Sequence, residues 1–252
     1  MAANKDLLFY LSHLADNALV AGHRNSEWTG HGPILEQDIA LSNIALDLIG
    51  QSRNLYQYAS EISADGSTED SLAYLRDARA YKNCLLVEQP KGDWACTITK
   101  QFLFSTYQYY LYQHLQQSRD TTIAAIAEKS IKEVAYHLRW SGEWMIRLGD
   151  GTDESHVRMQ KAIDSLWPFT GELFIGADYE LILAKEHISI DPSILLSQFN
   201  NKIDTVLNEA TLNLPANVWM QTGGKHGVHS EHLGYLLAEM QFLQRAYPGA
   251  TW

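Results

Sequence analysis

The segment Lys132-Glu133-Val134-Ala135-Tyr136-His137 lies in a long stretch with helical periodicity and closely matches half of a carboxylate-bridged di-iron site. Such sites place Glu and His three residues apart on a bundle helix, so that both side chains project into the bundle centre. Here Val134 stands three residues before His137, and the nearest carboxylate, Glu133, stands four residues before it. No Glu-x-x-His motif occurs anywhere in the chain. The segment therefore predicts a helical oxygenase scaffold that lacks its metal ligands.

Helical periodicity continues through almost all of the chain, and no hairpin signal between alternating strands interrupts it. Four helices stand out by length and apolar content, at about residues 6–23, 34–63, 93–117 and 120–149. Shorter helical segments are predicted at 67–86, 153–174, 192–214 and 230–247. Two long hairpins joined by a crossover are the plan of the ferritin-like four-helix bundle. We therefore predict an all-α, ferritin-like four-helix bundle with additional helices, forming a single domain over residues 1–252; a helical-repeat fold is the weaker alternative.

Composition narrows the class of protein. Hydrophobic residues make up 46% of the chain and charged residues 19%, which excludes disorder. The formal charge of −11 argues against nucleic acid and anionic membrane surfaces as partners. Two cysteines, Cys84 and Cys96, and the absence of a signal peptide or a long apolar run predict a reduced, cytoplasmic protein.

Helix-face arithmetic shows which residues would occupy the ligand positions of a di-iron bundle. On the helix at 34–63 the predicted inward stripe follows Ile39, Asn43, Asp47 and Gly50, so that Asp-x-x-Gly replaces Glu-x-x-His. The full set of predicted degenerate di-iron positions is Ala18, Asp47, Gly50, Ser105, Val134 and His137. Only the Asp and the His can coordinate a metal, and a di-iron pair needs several carboxylates. We predict that no metal or other cofactor is bound.

Asp47 and His137 are interpreted as a buried polar pair, bonded to each other, to Asn43 or to water. A mononuclear metal or a catalytic role for these two residues is the less favoured alternative. No catalytic residue is predicted. Ser105, His137 and Asp47 do not form a hydrolase triad, because the sequence contains no nucleophile elbow.

Several long segments resemble the PaaC subunits of bacterial phenylacetyl-CoA epoxidases, namely residues 39–51, 84–90, 131–137 and 223–241. That family belongs to a multicomponent oxygenase with a catalytic di-iron subunit, a small accessory subunit, this ferritin-like subunit and a reductase. The resemblance implies that the chain pairs with the catalytic paralogue and supports it without binding iron. It also implies a role in aerobic phenylacetate catabolism.

A second group of polar residues lies near the C-terminus. His226, His229, Glu231 and His232 could hold zinc, although their spacing matches no standard zinc site and a polar loop followed by a helix cap is the favoured interpretation. The residues of the same loop that could receive a phosphate of a CoA ester, or contact a partner, are Gly223, Gly224, Lys225, His226 and His229.

The resemblance, together with the missing metal ligands, implies a non-catalytic structural subunit of the epoxidase, with the catalytic di-iron paralogue and the other epoxidase subunits as partners. In isolation the chain is expected to form a homodimer. Two alternatives stay open from the residues alone: an active di-iron oxygenase with a non-standard site, and a helical module that binds a small molecule.

Overall fold

The computed structural model describes residues 2–250, and no strand occurs in that range. The predicted all-α helical bundle fold is confirmed. The helices in chain order are α1 (Ala2–Ser26), α2 (Leu35–Ser63), α3 (Glu69–Tyr74), α4 (Leu85–Glu88), α5 (Trp94–Leu115), α6 (Thr121–Gly149), α7 (Asp153–Leu166), α8 (Asp178–Lys185), α9 (Leu196–Glu209), α10 (Glu231–Met240) and α11 (Phe242–Ala246).

The chain divides into two compact units, and each contains one of the two predicted long hairpins. The first unit comprises the residues up to Pro90 and those from Gly223 onward, and it is built on the hairpin α1/α2. The second comprises residues 91–222 and is built on α5/α6, against which α7 and α9 pack. The prediction of a single domain stays a prediction. None of the described helices has an apolar run long enough to cross a membrane.

In the first unit, α1 and α2 approach each other closely at Gly22. A Cβ atom added there would lie 3.0 Å from Cγ1 of Ile49 and 3.2 Å from the carbonyl oxygen of Ala45. A larger residue would therefore push the two helices apart. The small residue at this position explains how two long helices bury their facing side chains, among them Leu14 and Leu48, almost completely.

In the second unit, an aspartate caps the start of each of the two long helices. The side chain of Asp93 accepts a hydrogen bond from the Cys96 amide at 3.0 Å at the start of α5. Asp120 accepts hydrogen bonds from the amides of Thr122 and Ile123, both at 3.0 Å, at the start of α6. These bonds satisfy N–H groups that have no partner within the helix.

Two of the shorter predicted helices are interrupted. The segment predicted at 67–86 is helical in α3, in one 3₁₀ turn at Ala78–Ala80 and in α4, and its backbone is extended at Asp77, Tyr81 and Cys84. The segment predicted at 153–174 ends as an α-helix at Leu166, because Pro168 lacks an N–H and the chain continues in two short 3₁₀ turns.

The extended segment between α3 and α4 is held by Asp16, a fully buried residue of α1. Its carboxylate accepts hydrogen bonds from the Tyr56 hydroxyl, from the Arg76 guanidinium and from the Lys82 amide, the last at 2.7 Å. Burial, followed by the negative charge of Asp16, raises the pKa of Tyr56 well above 10. Burial lowers the pKa of Arg76, but the charge of Asp16 outweighs that effect and raises it above its usual value. Both groups therefore remain donors to Asp16.

Replacing Asp16 is expected to destabilise the protein strongly. Asp16→Ala removes the anionic partner of the Arg76 guanidinium and the acceptor of the Lys82 amide, and breaking a buried ion pair costs about 3–5 kcal/mol. The free energy of unfolding, measured by urea denaturation, should fall by that amount. Glu61→Ala removes an exposed carboxylate from α2 and should change the same quantity by less than about 0.5 kcal/mol. Similar small changes in both variants would show that the Asp16–Arg76 pair does not stabilise the fold.

Candidate functional site

Three of the predicted di-iron positions lie in the second unit, on the hairpin α5/α6. Ser105, Val134 and His137 have no exposed surface, as helical periodicity predicts. The ring of His137 makes an edge-on contact with Tyr136, with a centroid distance of 6.3 Å. These positions are therefore interior ones, and their chemistry decides whether a metal could be held there.

At these positions two serine hydroxyl groups, one from each helix, lie side by side. The Ser105 hydroxyl donates to the carbonyl of Gln101 at 2.6 Å, and the Ser141 hydroxyl donates to the carbonyl of His137 at 2.7 Å. The two hydroxyl oxygens are 3.4 Å apart. Each serine is thus bonded to its own helix one turn back, which leaves little capacity for any other role.

The residues on α5 and α6 do not fit a di-iron centre. Val134 has no donor atom, and a serine hydroxyl cannot replace the carboxylates that bridge two iron ions. Glu133 is half-buried. Burial, followed by the negative charge of Glu133, raises the pKa of Tyr112 above its usual value. Among the described residues, no group of three or more His, Cys, Asp or Glu side chains is placed to hold a metal ion.

The other three predicted positions lie in the first unit, and for two of them the predicted helix face was wrong. Ala18 is fully buried, but Asp47 and Gly50 are partly exposed, as is Ile39, at 51%. The buried face of α2 is rotated by about one residue from the predicted one. Its residues are Leu41, Ile44, Ala45, Leu48, Gln51, Ser52, Leu55, Tyr56 and Ala59. Burial of the apolar side chains determines this face, whereas the prediction followed the polar ones. Asp47 therefore is not a fully buried residue, and its pairing with His137 stays a prediction.

A buried acid–base cluster in the first unit was not predicted. Glu88, at the end of α4, is fully buried and accepts four hydrogen bonds. Oε1 accepts from the amide and the hydroxyl of Ser230 at 2.7 and 2.8 Å. Oε2 accepts from the side-chain amide of Asn83 at 2.9 Å and from Nδ1 of His229 at 2.7 Å. The carboxylate thus joins α4 to the start of α10.

His229 is a cation in this cluster. Its Nδ1 faces the carboxylate of Glu88 and its Nε2 lies 3.0 Å from the carbonyl oxygen of Tyr81, so both ring nitrogens donate to acceptors. Burial lowers the pKa of His229, but the hydrogen bond and charge of Glu88 outweigh burial and raise the pKa above 6.5. The His229 and Glu88 side chains are only 4% and 0% exposed. The pair therefore stabilises the fold and is not open to a dissolved substrate.

The glycine-rich loop closes over this cluster. A Cβ atom added at Gly224 would lie 2.2 Å from the Asn83 carbonyl oxygen, and one added at Gly227, where φ is +79°, would lie 2.3 Å from the Arg79 carbonyl oxygen. Only glycine fits these two positions. Lys225 is 2% exposed. The loop packs on its own unit with its lysine buried, so this geometry lends no support to a phosphate site formed by Gly223, Gly224, Lys225, His226 and His229.

The residues of the possible zinc cluster do not converge. His226 is exposed, whereas His229 is bonded to Glu88. The carbonyl of His232 accepts a hydrogen bond from the guanidinium of Arg24 at 2.9 Å. The same guanidinium donates twice to the carbonyl of Glu88, at 2.9 and 3.1 Å. The favoured interpretation, a polar loop that leads into a helix, agrees with these contacts.

Sequence reasoning missed the residues that organise the first unit, although each carried a signal. Asp16 stands in a helix whose surrounding residues from Tyr10 to Val20 are nearly all buried. Glu88 follows the apolar run Leu85-Leu86-Val87 directly. A charged residue in such surroundings is almost never fully buried without a partner, so an ionic partner could have been expected for both. Their partners are 60 or more residues away, at Arg76 and His229.

Two histidines should make the stability depend on pH in opposite directions. His229 has a raised pKa, so its contribution is complete below pH 6.5 and is lost as the pH rises through the folded-state value. Burial, opposed by the charge of Glu27, lowers the pKa of His23 to about 4, so stability should fall between pH 6.5 and 4 as the unfolded state takes up a proton. The urea unfolding midpoint should therefore be highest near pH 6.5.

In a plot of this midpoint against pH, His229→Gln should flatten the alkaline side and His23→Gln should flatten the acidic side. His226→Gln, on the exposed part of the loop, should leave the profile unchanged; an unaltered alkaline side in His229→Gln would contradict the ionic assignment.

Comparison with known proteins agrees with the resemblance drawn from the sequence. The chain is 49% identical to the C subunit of the 1,2-phenylacetyl-CoA epoxidase of Escherichia coli (strain K12) over 246 residues, which cover 98% of this chain and 99% of that protein. Residues 1–252 match the family described as "Phenylacetic acid catabolic protein". The chain therefore belongs to the phenylacetic acid catabolic protein family.

Proposed function

We propose that this chain is a non-catalytic structural subunit of a multicomponent phenylacetyl-CoA epoxidase in cytoplasmic, aerobic phenylacetate catabolism. In this role it pairs with a catalytic di-iron paralogue, which it supports, and with the other epoxidase subunits. Its similarity to the epoxidase protein of Escherichia coli extends over nearly the whole length of both chains, which supports the same place in the complex.

The observation that carries the non-catalytic role is the set of residues at the ligand positions of α5 and α6. Ser105 and Val134 are fully buried where a di-iron subunit needs carboxylates. The buried carboxylates Asp16 and Glu88 are already bonded to protein donors, including a guanidinium and an imidazolium. Binding iron through either carboxylate would leave that cation buried without a counterion, at a cost of several kcal/mol.

One feature favours the alternative of a small-molecule binding module. A cleft of about 380 Å³ lies in the second unit, and its lining includes Tyr110 from α5, Arg139 from α6 and Lys202 from α9. This volume is at the lower end of the range of ligand pockets. A binding module would be a stable monomer, so the state of association of the purified chain separates it from a structural subunit.

The purified chain should hold almost no iron. Protein expressed with excess ferrous iron should contain less than about 0.2 iron per chain by plasma mass spectrometry, because the predicted positions offer one Asp and one His. The catalytic subunit, expressed in parallel, should load iron and serves as the control. Tightly held iron at one or two ions per chain would contradict the structural role and favour an oxygenase with a non-standard site.

The chain should form a stable complex with the catalytic subunit. Light scattering of a mixture should show a species that contains both proteins, with an interface above about 2,000 Å², as is usual for obligate pairs. Alone, the chain should form a homodimer, because its exposed apolar surface has no better partner. Turnover of phenylacetyl-CoA by the catalytic subunit and its reductase should be lost or greatly reduced when this chain is omitted. Equal turnover without the chain, or failure to form the complex, would contradict the proposal.

A further inference from the structure

The outer face of α2 carries an exposed seam of residues, which we call the α2 seam: Ile39, Asn43, Leu46, Gly50 and Arg53. They follow one another at intervals of four and three residues, which is the spacing of a seam that packs against another helix. Ile39 is 51% exposed and Leu46 is 66% exposed, while Asn43 and Arg53 are also exposed. Large apolar side chains at this spacing on an outer helix face indicate a helical partner.

Gly50 gives independent evidence that something approaches this face. Glycine in a helix interior lowers helix stability relative to alanine, and close packing against another helix is one reason for a glycine to stand there. At Gly22 that reason is visible, because a Cβ atom there would collide with α2. At Gly50 an added Cβ would meet no described atom within 4 Å, apart from its chain neighbours and the nearby backbone of α2 itself. The described chain therefore does not require this glycine, whereas a helix crossing close to α2 would.

The seam is complementary to itself. Leu46 projects from the helix and Gly50 leaves a gap one turn further on. In an antiparallel pair with the two-fold axis near Leu48, each Leu46 lies over the Gly50 of the second copy. A symmetric dimer requires such reciprocity, since residue i must meet residue j and residue j must meet residue i.

The charges of α2 also favour the antiparallel arrangement. Arg53 is its one basic residue; of its four acidic residues, Glu36, Asp38 and Asp47 lie on the N-terminal side of Arg53 and Glu61 lies on the C-terminal side. A two-fold axis near Leu48 brings Arg53 of one copy beside Asn43 and Asp47 of the other. A parallel pair would place the two Arg53 side chains next to each other, which is unfavourable.

We infer that the α2 seam is the surface on which a second copy of this chain docks, antiparallel, with Leu46 seated on Gly50. The inference rests on the self-association included in the proposed function and assigns it a surface and an orientation. The polar Asn43 between the apolar Ile39 and Leu46 fixes the register of the pair, as polar residues at single seam positions do in coiled coils.

The surface is tested with two substitutions in the isolated chain, measured by sedimentation equilibrium. Leu46→Glu introduces a charge and Gly50→Leu fills the gap, and each should weaken self-association by at least about 100-fold, because they alter the centre of the contact. Leu75→Glu changes a leucine that is 53% exposed on another element and should dimerise like the wild type. Circular dichroism and the unfolding midpoint identify any variant that fails to fold. A monomeric wild type, or dimers of unchanged strength in both seam variants, would overturn the inference.

The orientation is tested by disulfide formation in a Cys96→Ser background. An equimolar mixture of Leu46→Cys and Gly50→Cys chains should form cross-linked dimers faster than either variant alone, because the antiparallel pair places position 46 opposite position 50. Equal rates in all three samples would exclude this register.

Failure of this inference is distinguishable from failure of the proposed function. Binding of the catalytic subunit and epoxidase turnover are measured separately with the wild type and with Leu46→Glu. A chain that supports turnover but does not self-associate through the seam contradicts only the inference. A chain that dimerises through the seam, yet neither binds the catalytic subunit nor supports its turnover, contradicts only the proposed function.

Discussion

The pairing of buried carboxylates with protein cations is the constraint on which the rest of the first unit depends. Asp16 and Glu88 are both fully buried, and their charges are compensated by Arg76 and His229. Arg76 belongs to the irregular segment after α3, and His229 belongs to the glycine-rich loop before α10. Because a buried charge without a partner is costly, these two ion pairs hold the irregular segments on the helices.

Because the buried carboxylates are paired with cations of the protein, they are not available to a metal ion. A di-iron bundle holds its interior carboxylates ready for metal cations, whereas Asp16 and Glu88 are directed to cations of the protein itself. In the α5/α6 hairpin, neutral side chains occupy the corresponding interior positions. There Ser105 and Ser141 donate hydrogen bonds to carbonyls of their own helices. A helical scaffold with its interior used in this way is suited to supporting a catalytic paralogue, which is the role proposed for this member of the phenylacetic acid catabolic protein family.

Local signals predicted much of the fold, and long-range contacts explain most of what was missed. Asp93 and Asp120 stand directly before two of the predicted long helices and cap them, because capping depends on residues within one turn. The break after Tyr74 was missed, since it depends on Asp16, about sixty positions away. The predicted inward face of α2 was wrong, because burial of its apolar side chains, and not the spacing of its polar ones, determines which face is buried. Gly224 and Gly227 are fixed by close backbone contacts with Asn83 and Arg79, which local sequence signals do not reveal.

The central claim is that iron in the epoxidase belongs to the catalytic paralogue and that this chain supports it without binding any. Anomalous scattering at the iron absorption edge, recorded from crystals of the complex, assigns each iron ion to one of the two chains. We expect every iron peak to lie within the catalytic subunit and none within this chain, including the interior positions around His137. An iron peak beside His137 or Asp47 would contradict the claim directly.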